Sequence, residues 1–135
     1  FMVGMALNKQ IKTKELNNTA YYIGAISETD GKDENDDHAL RTAKIEADKF
    51  EKIELSEDVT VTYQLFYYNA DKKLIGKTGE QTEGMTELPA TQVVGDKTED
   101  VKYFRVMVKV PAEKDKLTIF NKGDYIKQIT VTVQR

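Results

Sequence analysis

The alternation of apolar and polar positions is sharpest between Val59 and Gly76, VTVTYQLFYYNADKKLIG. Val59, Val61, Tyr63, Leu65 and Tyr67 fall on one face of an extended chain, and Thr60, Thr62, Gln64, Phe66 and Tyr68 on the other. A period of two marks a half-buried β-strand, and β-branched and aromatic residues are those such a strand favours. Asn69-Ala70-Asp71-Lys72 follows with turn chemistry, because short Asn and Asp side chains bond to nearby backbone. The stretch predicts a long strand, a tight turn and a return strand ending at Gly76.

The same reading extends along the chain. Ala20 to Ile26 predicts a strand. Ser27 to His38 has no apolar residue, cannot bury surface to offset ordering, and predicts an exposed, poorly ordered loop. Between Ala39 and Leu55 a helix would align Leu40, Ala43, Ala47 and Phe50 but leave Ile45, Ile53 and Leu55 off that face. Two strands fit better, one alternating through Ala43, Ile45 and Ala47 and one through Ile53 and Leu55, with room for a helical turn between Glu46 and Glu51. Thr78 to Asp100, with Gly79, Gly84, Pro89 and Gly95, reads as a long connection holding a short strand at Thr91 to Val94.

Lys102 to Val110 alternates again, with Phe104, Val106, Val108 and Val110 inward and Tyr103, Arg105 and Met107 outward. Pro111 ends it, since proline lacks the ladder donor. Leu117 to Phe120 predicts a short strand, Asn121 to Asp124 a turn, and Tyr125 to Val133 the last strand with Ile129, Val131 and Val133 inward. The expected core is Val61, Tyr63, Leu65, Phe104, Val106, Val108, Ile129, Val131 and Val133. Many strands, turn signals between them and no strongly amphipathic helix predict an all-β, antiparallel, jelly-roll-like sandwich. Residues 20–135 read as one module, and residues 1–19 as an N-terminal strand or linker, in which Phe1 to Leu7 either docks on the body or links to a preceding domain.

Composition narrows the function classes. A length of 135 residues suits one domain with one core. The lack of cysteine excludes disulfides, thiolate zinc sites and a cysteine nucleophile. A net charge of −3, with acids and bases mixed along the chain, argues against a nucleic-acid surface. No apolar run approaches the roughly 18 residues a membrane helix needs. The chain opens on Phe1, without the basic start of a signal peptide, and reads as a fragment or a processed product.

Candidate chemistry is sparse. Asp30, Asp33, Glu34, Asp36 and Asp37 form an acidic run, and calcium takes several carboxylate and carbonyl oxygens, but the ordered EF-hand spacing is missing. The run is expected to be a solvated loop without metal. His38 is the single histidine; with no second ligand or partner nucleophile in the pattern it reads as a surface loop residue. A glycosidase needs two carboxyl groups facing a cleft at a defined separation, and nothing singles out such a pair among 23 acids. A non-enzyme with no cofactor is expected. The outer face is the more informative set. Gln64, Phe66 and Tyr68 share it on the central strand, and Tyr103 and Arg105 lie on the outer face of a strand that can neighbour it. Aromatic area beside planar polar groups suits sugar recognition, so these five are the expected ligand-binding residues, partly accessible. The competing reading puts Phe66 and Tyr68 under a loop in a second core layer.

Taken together, Ile23-Gly24-Ala25-Ile26, Ala39-Leu40-Arg41-Thr42 with Ile45, Ile53-Glu54-Leu55, the hairpin Gln64 to Gly76 and Tyr103 to Val108 carry a family resemblance. The stretch from about residue 22 to residue 133 resembles the carbohydrate-binding-like jelly-roll modules of minor structural and tail proteins of phages and prophages of Gram-positive bacteria, and related modules of secreted proteins. The resemblance implies a non-catalytic interaction module of a virion or a cell surface. It would bind a cell-surface glycan or a neighbouring virion protein, and oligomerise if it belongs to a virion. The alternative it implies is a secreted or surface module acting as adhesin or spacer.

Overall fold

A computed structural model describes residues 12–135 of the chain, and the segment Phe1 to Leu7 lies outside the described residues. Two sheets pack face to face. The larger is built from β2 (Tyr22–Ile23), β5 (Ala39–Arg41), β6 (Ile45–Glu46), β8 (Thr62–Tyr68), β9 (Leu74–Lys77) and β12 (Tyr103–Lys109), in the order β2-β5-β12-β8-β9 with β6 also pairing β12. The smaller holds β1 (Thr13–Glu15), β13 (Ile129–Gln134) and β7 (Phe50–Leu55), in the order β1-β13-β7. Every pairing is antiparallel. Two hairpins stand apart from these sheets: β3 (Ala25–Ile26) with β4 (Asp33–Glu34), and β10 (Thr91–Val94) with β11 (Lys97–Asp100). The result is the all-β sandwich that the alternation predicts.

The long alternating stretches make the centre. β8 and β12 pair over seven positions, from Tyr68↔Tyr103 to Thr62↔Lys109. Their inward residues Tyr63, Leu65, Tyr67, Phe104, Val106 and Val108 join Ile129, Val131 and Val133 of the facing sheet in one core. All nine expected core residues are buried. The Phe50 and Phe104 rings meet edge to face with centroids 5.5 Å apart, across the gap between the sheets.

The turn after β8 forms as its residues dictate. The Asn69 side-chain oxygen accepts from the amides of Asp71 and Lys73, each at 3.0 Å. The region from Ala39 to Leu55 is built of strands rather than one helix, with a single 3-10 turn at Ala47–Lys49; of the strand expected through Ala43, Ile45 and Ala47 only β6 forms, Ala43 lies outside it and Ala47 opens the turn, while Ile53 and Leu55 lie on β7 as expected.

Other expectations differ. The strand expected from Ala20 to Ile26 is broken at Gly24, whose φ of +144° splits β2 from β3. The loop expected at Ser27 to His38 contains the return strand β4, and a tight turn through Gly31 closes the hairpin. The connection from Thr78 to Asp100 holds a second strand, β11, which pairs β10. Leu117 to Phe120 is not a strand. The Thr118 hydroxyl accepts from the amides of Phe120 and Asn121, and this local bonding turns the chain into a short helix, α1 (Lys122–Ile126). The last strand therefore begins at Ile129 rather than Tyr125.

Candidate functional site

The strands bring the five expected residues onto one face. Tyr68 lies opposite Tyr103, and Phe66 opposite Arg105, in the β8–β12 ladder, with Gln64 opposite Met107. Their accessibility differs from expectation. Phe66 is 0% exposed, Tyr68 1%, Gln64 3% and Arg105 5%; Tyr103 alone is half-buried. The cover is the β3–β4 hairpin. Ala25 and Ile26 anchor it, and with Ala39, Phe66, Tyr68 and Met107 they form a second core layer that Leu74 and Tyr103 complete at its edge. The face is thus a packed layer that opens to solvent at its Tyr103 end.

Polar groups hold the hairpin down. The Tyr68 hydroxyl donates to the Gly31 carbonyl at 2.7 Å. The Arg105 guanidinium donates to the carbonyls of Thr42 (2.7 Å) and Gly31 (3.4 Å) and to an Asp33 carboxylate oxygen (2.7 Å). Arg41 reaches the same oxygen at 3.3 Å and donates to the carbonyls of Ala25 and Glu34. Burial pushes the Asp33 carboxyl up, but the hydrogen bond and charge of Arg105, with the charges of Arg41 and Lys44, outweigh it and hold the group below the ordinary carboxylate range. Gly31 is required at the hairpin tip. Its φ is +71°, and a side chain there would begin 2.8 Å from the Tyr68 ring and 2.9 Å from Leu74. Gln64, further along the same face, donates to the Thr78 carbonyl at 2.9 Å.

At the open end charges of both signs gather, with Glu46, Asp48 and Lys102 lining the hollow beside Tyr103. Lys44 Nζ lies 4.7 Å from the centroid of the Tyr68 ring, and Lys72 Nζ 5.6 Å from that of Tyr103. Burial and the neighbouring charges of Arg105 and Lys72 lower the Lys44 pKa, against the pull of Asp33. Arg41, Lys44, Lys72 and Asp33 were not among the expected site residues. Strand pairing brings Arg41, Lys44 and Lys72 to this end through β5, β6 and the β8–β9 turn, and the β3–β4 hairpin adds Asp33.

The other end of the acidic stretch is a separate feature. Asp36, Asp37 and His38 place potential ligand atoms within 4.8 Å of one another. His38 Nδ1 meets an Asp37 carboxylate oxygen and Nε2 the Lys114 carbonyl, each at 2.8 Å. Both partners are acceptors, so both contacts are hydrogen bonds together only when the imidazole carries a proton on each nitrogen. In that state it is neither a metal ligand nor a general base. The Lys114 carbonyl bond, then Asp37, raise the His38 pKa above its ordinary value. A group raised in the folded state adds stability that is complete below the unfolded value of about 6.5 and is lost as pH rises through the folded value. We therefore expect hydrogen exchange in the segment from Pro111 to Leu117 to accelerate as pH rises through that value, after correction for intrinsic exchange, and His38→Gln to remove the pH dependence. A corrected protection that stays flat with pH in the wild type would contradict the doubly donating imidazole.

Comparison with protein-family models, with curated proteins and with solved structures gives no match.

Proposed function

We propose that the chain is a non-catalytic interaction module that binds a glycan at a cell surface, as its resemblance to phage and prophage tail modules implies. Tyr103 carries the reading. Its ring is half-buried at the open end of the β8–β12 face, fixed by a central strand, with the Lys72 ammonium 5.6 Å from its centroid. Two residues along the same strand face, Arg105 is held rigidly by its hydrogen bonds to Thr42, Gly31 and Asp33. A partly open aromatic ring on a rigid element, beside fixed polar groups, offers apolar area and orientation at low entropic cost. Gln64, Phe66, Tyr68 and Arg105 then act beneath the surface, by holding Tyr103 and the hairpin in place.

A glycan array on the wild type and on Tyr103→Ala tests this. Binding to at least one class of sugar, lost in the variant with the melting temperature held, is expected. A second reading, contact with a neighbouring protein of a virion or a surface assembly, rests on Ile119 and Phe120, which are adjacent, apolar and 74% and 91% exposed. An array silent for the wild type, together with a concentration-dependent oligomer broken by Phe120→Ser, would replace the first reading with the second.

A further inference from the structure

The outer face of β8 and β12 has a second end, away from Tyr103. There the ladder closes on the pair Thr62↔Lys109. A period of two puts these side chains on the same face as Phe66 and Arg105, and neither is fully buried. A hollow of about 420 Å³ opens at this end, a volume within the range of small-molecule sites. Thr62 and Lys109 line it from the two central strands. Asp36 enters from the segment after β4, Glu80 from the segment after β9, and Pro111 and Ala112 from the segment after β12.

Backbone bonds fix these segments. The Val110 amide donates to the His38 carbonyl and the Leu117 amide to the Asp37 carbonyl, each at 2.8 Å. Tyr63 and Gln81 exchange both of their backbone hydrogen bonds, which sets Glu80 beside Thr62. The two carboxylates are also oriented. Glu80 Oε1 accepts from the Thr62 hydroxyl at 2.7 Å, and Asp36 Oδ1 accepts from the His38 amide at 2.8 Å. Among the described residues, the second oxygen of each carboxylate has no protein donor, and Lys109 forms no ion pair.

The hollow therefore presents held acceptors and a donor of opposite charge, beside a short apolar lip at Pro111 and Ala112. Charges of both signs disfavour a ligand with a strong charge of its own. Hydroxyl groups suit the mixture, because each can donate to a carboxylate or accept from an ammonium, and such bonds are charge-assisted. The C–H face of a sugar ring covers an apolar lip.

We propose that this hollow binds a neutral saccharide, whose hydroxyls donate to Asp36 and Glu80 and accept from Lys109. The β3–β4 hairpin, packed on Phe66, Tyr68 and Met107, separates it from Tyr103 on the same face. The ligand class is that of the reading above, but the place is different, so each can fail alone.

Amide NMR titrations of the wild type with maltohexaose, cellohexaose, chitohexaose and mannohexaose test it. At least one should shift the amides of Asp36, Thr62, Glu80 and Lys109 and leave that of Tyr103 in place. Glu80→Ala, and Lys109→Met, which keeps the apolar stem, should each lose about tenfold in affinity with the melting temperature held. Hexagalacturonate should bind more weakly than the preferred neutral sugar; tighter binding would overturn the neutral ligand. No shift with any of the four sugars, shifts confined to the surroundings of Tyr103, or folded variants with unchanged affinity would each overturn the hollow as the site. A glycan array that Tyr103→Ala leaves intact and Glu80→Ala silences would support the hollow and overturn the Tyr103 reading.

Discussion

Leu65→Ala should destabilise the protein by about 2–5 kcal/mol, through lost transfer free energy and the cavity left behind. Leu65 is 0% exposed and sits mid-way along β8, opposite Val106 in the longest ladder of the fold. It belongs to the same core cluster as Val131 and Val133 of the facing sheet, so the void would open between two sheets that cannot both collapse into it. Urea unfolding followed by far-UV circular dichroism would read the change as a lower midpoint with an unaltered slope. Leu65→Met, which nearly conserves volume, should cost under about 1.5 kcal/mol. A loss below about 1 kcal/mol for the alanine variant would mean that the register of β8 is wrong, since a shift by one residue exposes every inward side chain.

Arg105→Met should cost about 2–4 kcal/mol, the next largest effect. The side chain is buried, and its loss strips a donor from the Thr42 carbonyl and the closest one from Asp33. The ion pair itself contributes the smaller share, because Asp33 is more than half exposed and water screens it. Most of the cost is the Thr42 carbonyl left without its guanidinium and the β3–β4 hairpin left with fewer ties. The acid side carries a further signature. The Asp33 pKa is depressed in the folded state, so its contribution is present above the unfolded value of about 3.9 and is lost as pH falls through the folded value. The difference in stability between wild type and Arg105→Met should therefore shrink in acid. If it stays constant from neutral pH into strong acid, Asp33 is not the partner that matters.

The two variants probe the two layers separately, and the distinction explains what the candidate site is. The β8–β12 sheet is covered on both faces. One face meets the β1-β13-β7 sheet, and the other meets the hairpin from Ala25 to Glu34, whose apolar side chains are those of Ala25 and Ile26. Solvent consequently reaches this face at the rim where the cover stops, at the half-buried Tyr103. Residues beneath the hairpin bear on the rim only through its position.

What alternation could say, it said by itself. Val59 to Tyr68 and Lys102 to Val110 each commit one face to apolar residues at a period of two, and a strand is the backbone that places such residues on one side. The core follows from that, as does the turn at Asn69, whose short amide can close a backbone turn without help from elsewhere. These are local or nearly local properties, decided within ten residues. The outer face was legible only as a set: Gln64, Phe66, Tyr68, Tyr103 and Arg105 do share a side, because register is fixed by the apolar pattern. Whether that side meets water depends on a segment with no pattern of its own. Ser27 to His38 reads as a solvated loop, since nothing in it is apolar. It is held by groups that lie far away in the chain: Arg105, the Tyr68 hydroxyl and Arg41 supply the donors that its carbonyls and Asp33 accept. Hydrogen bonds leave no periodicity in a sequence, and a charge has no preferred face until its partner is in place. The same holds for the lysine pair at the rim. Lys44 and Lys72 are unremarkable among 20 basic residues, and only the tertiary structure brings both to the rings of Tyr68 and Tyr103, because strand pairing joins segments that are distant in the chain.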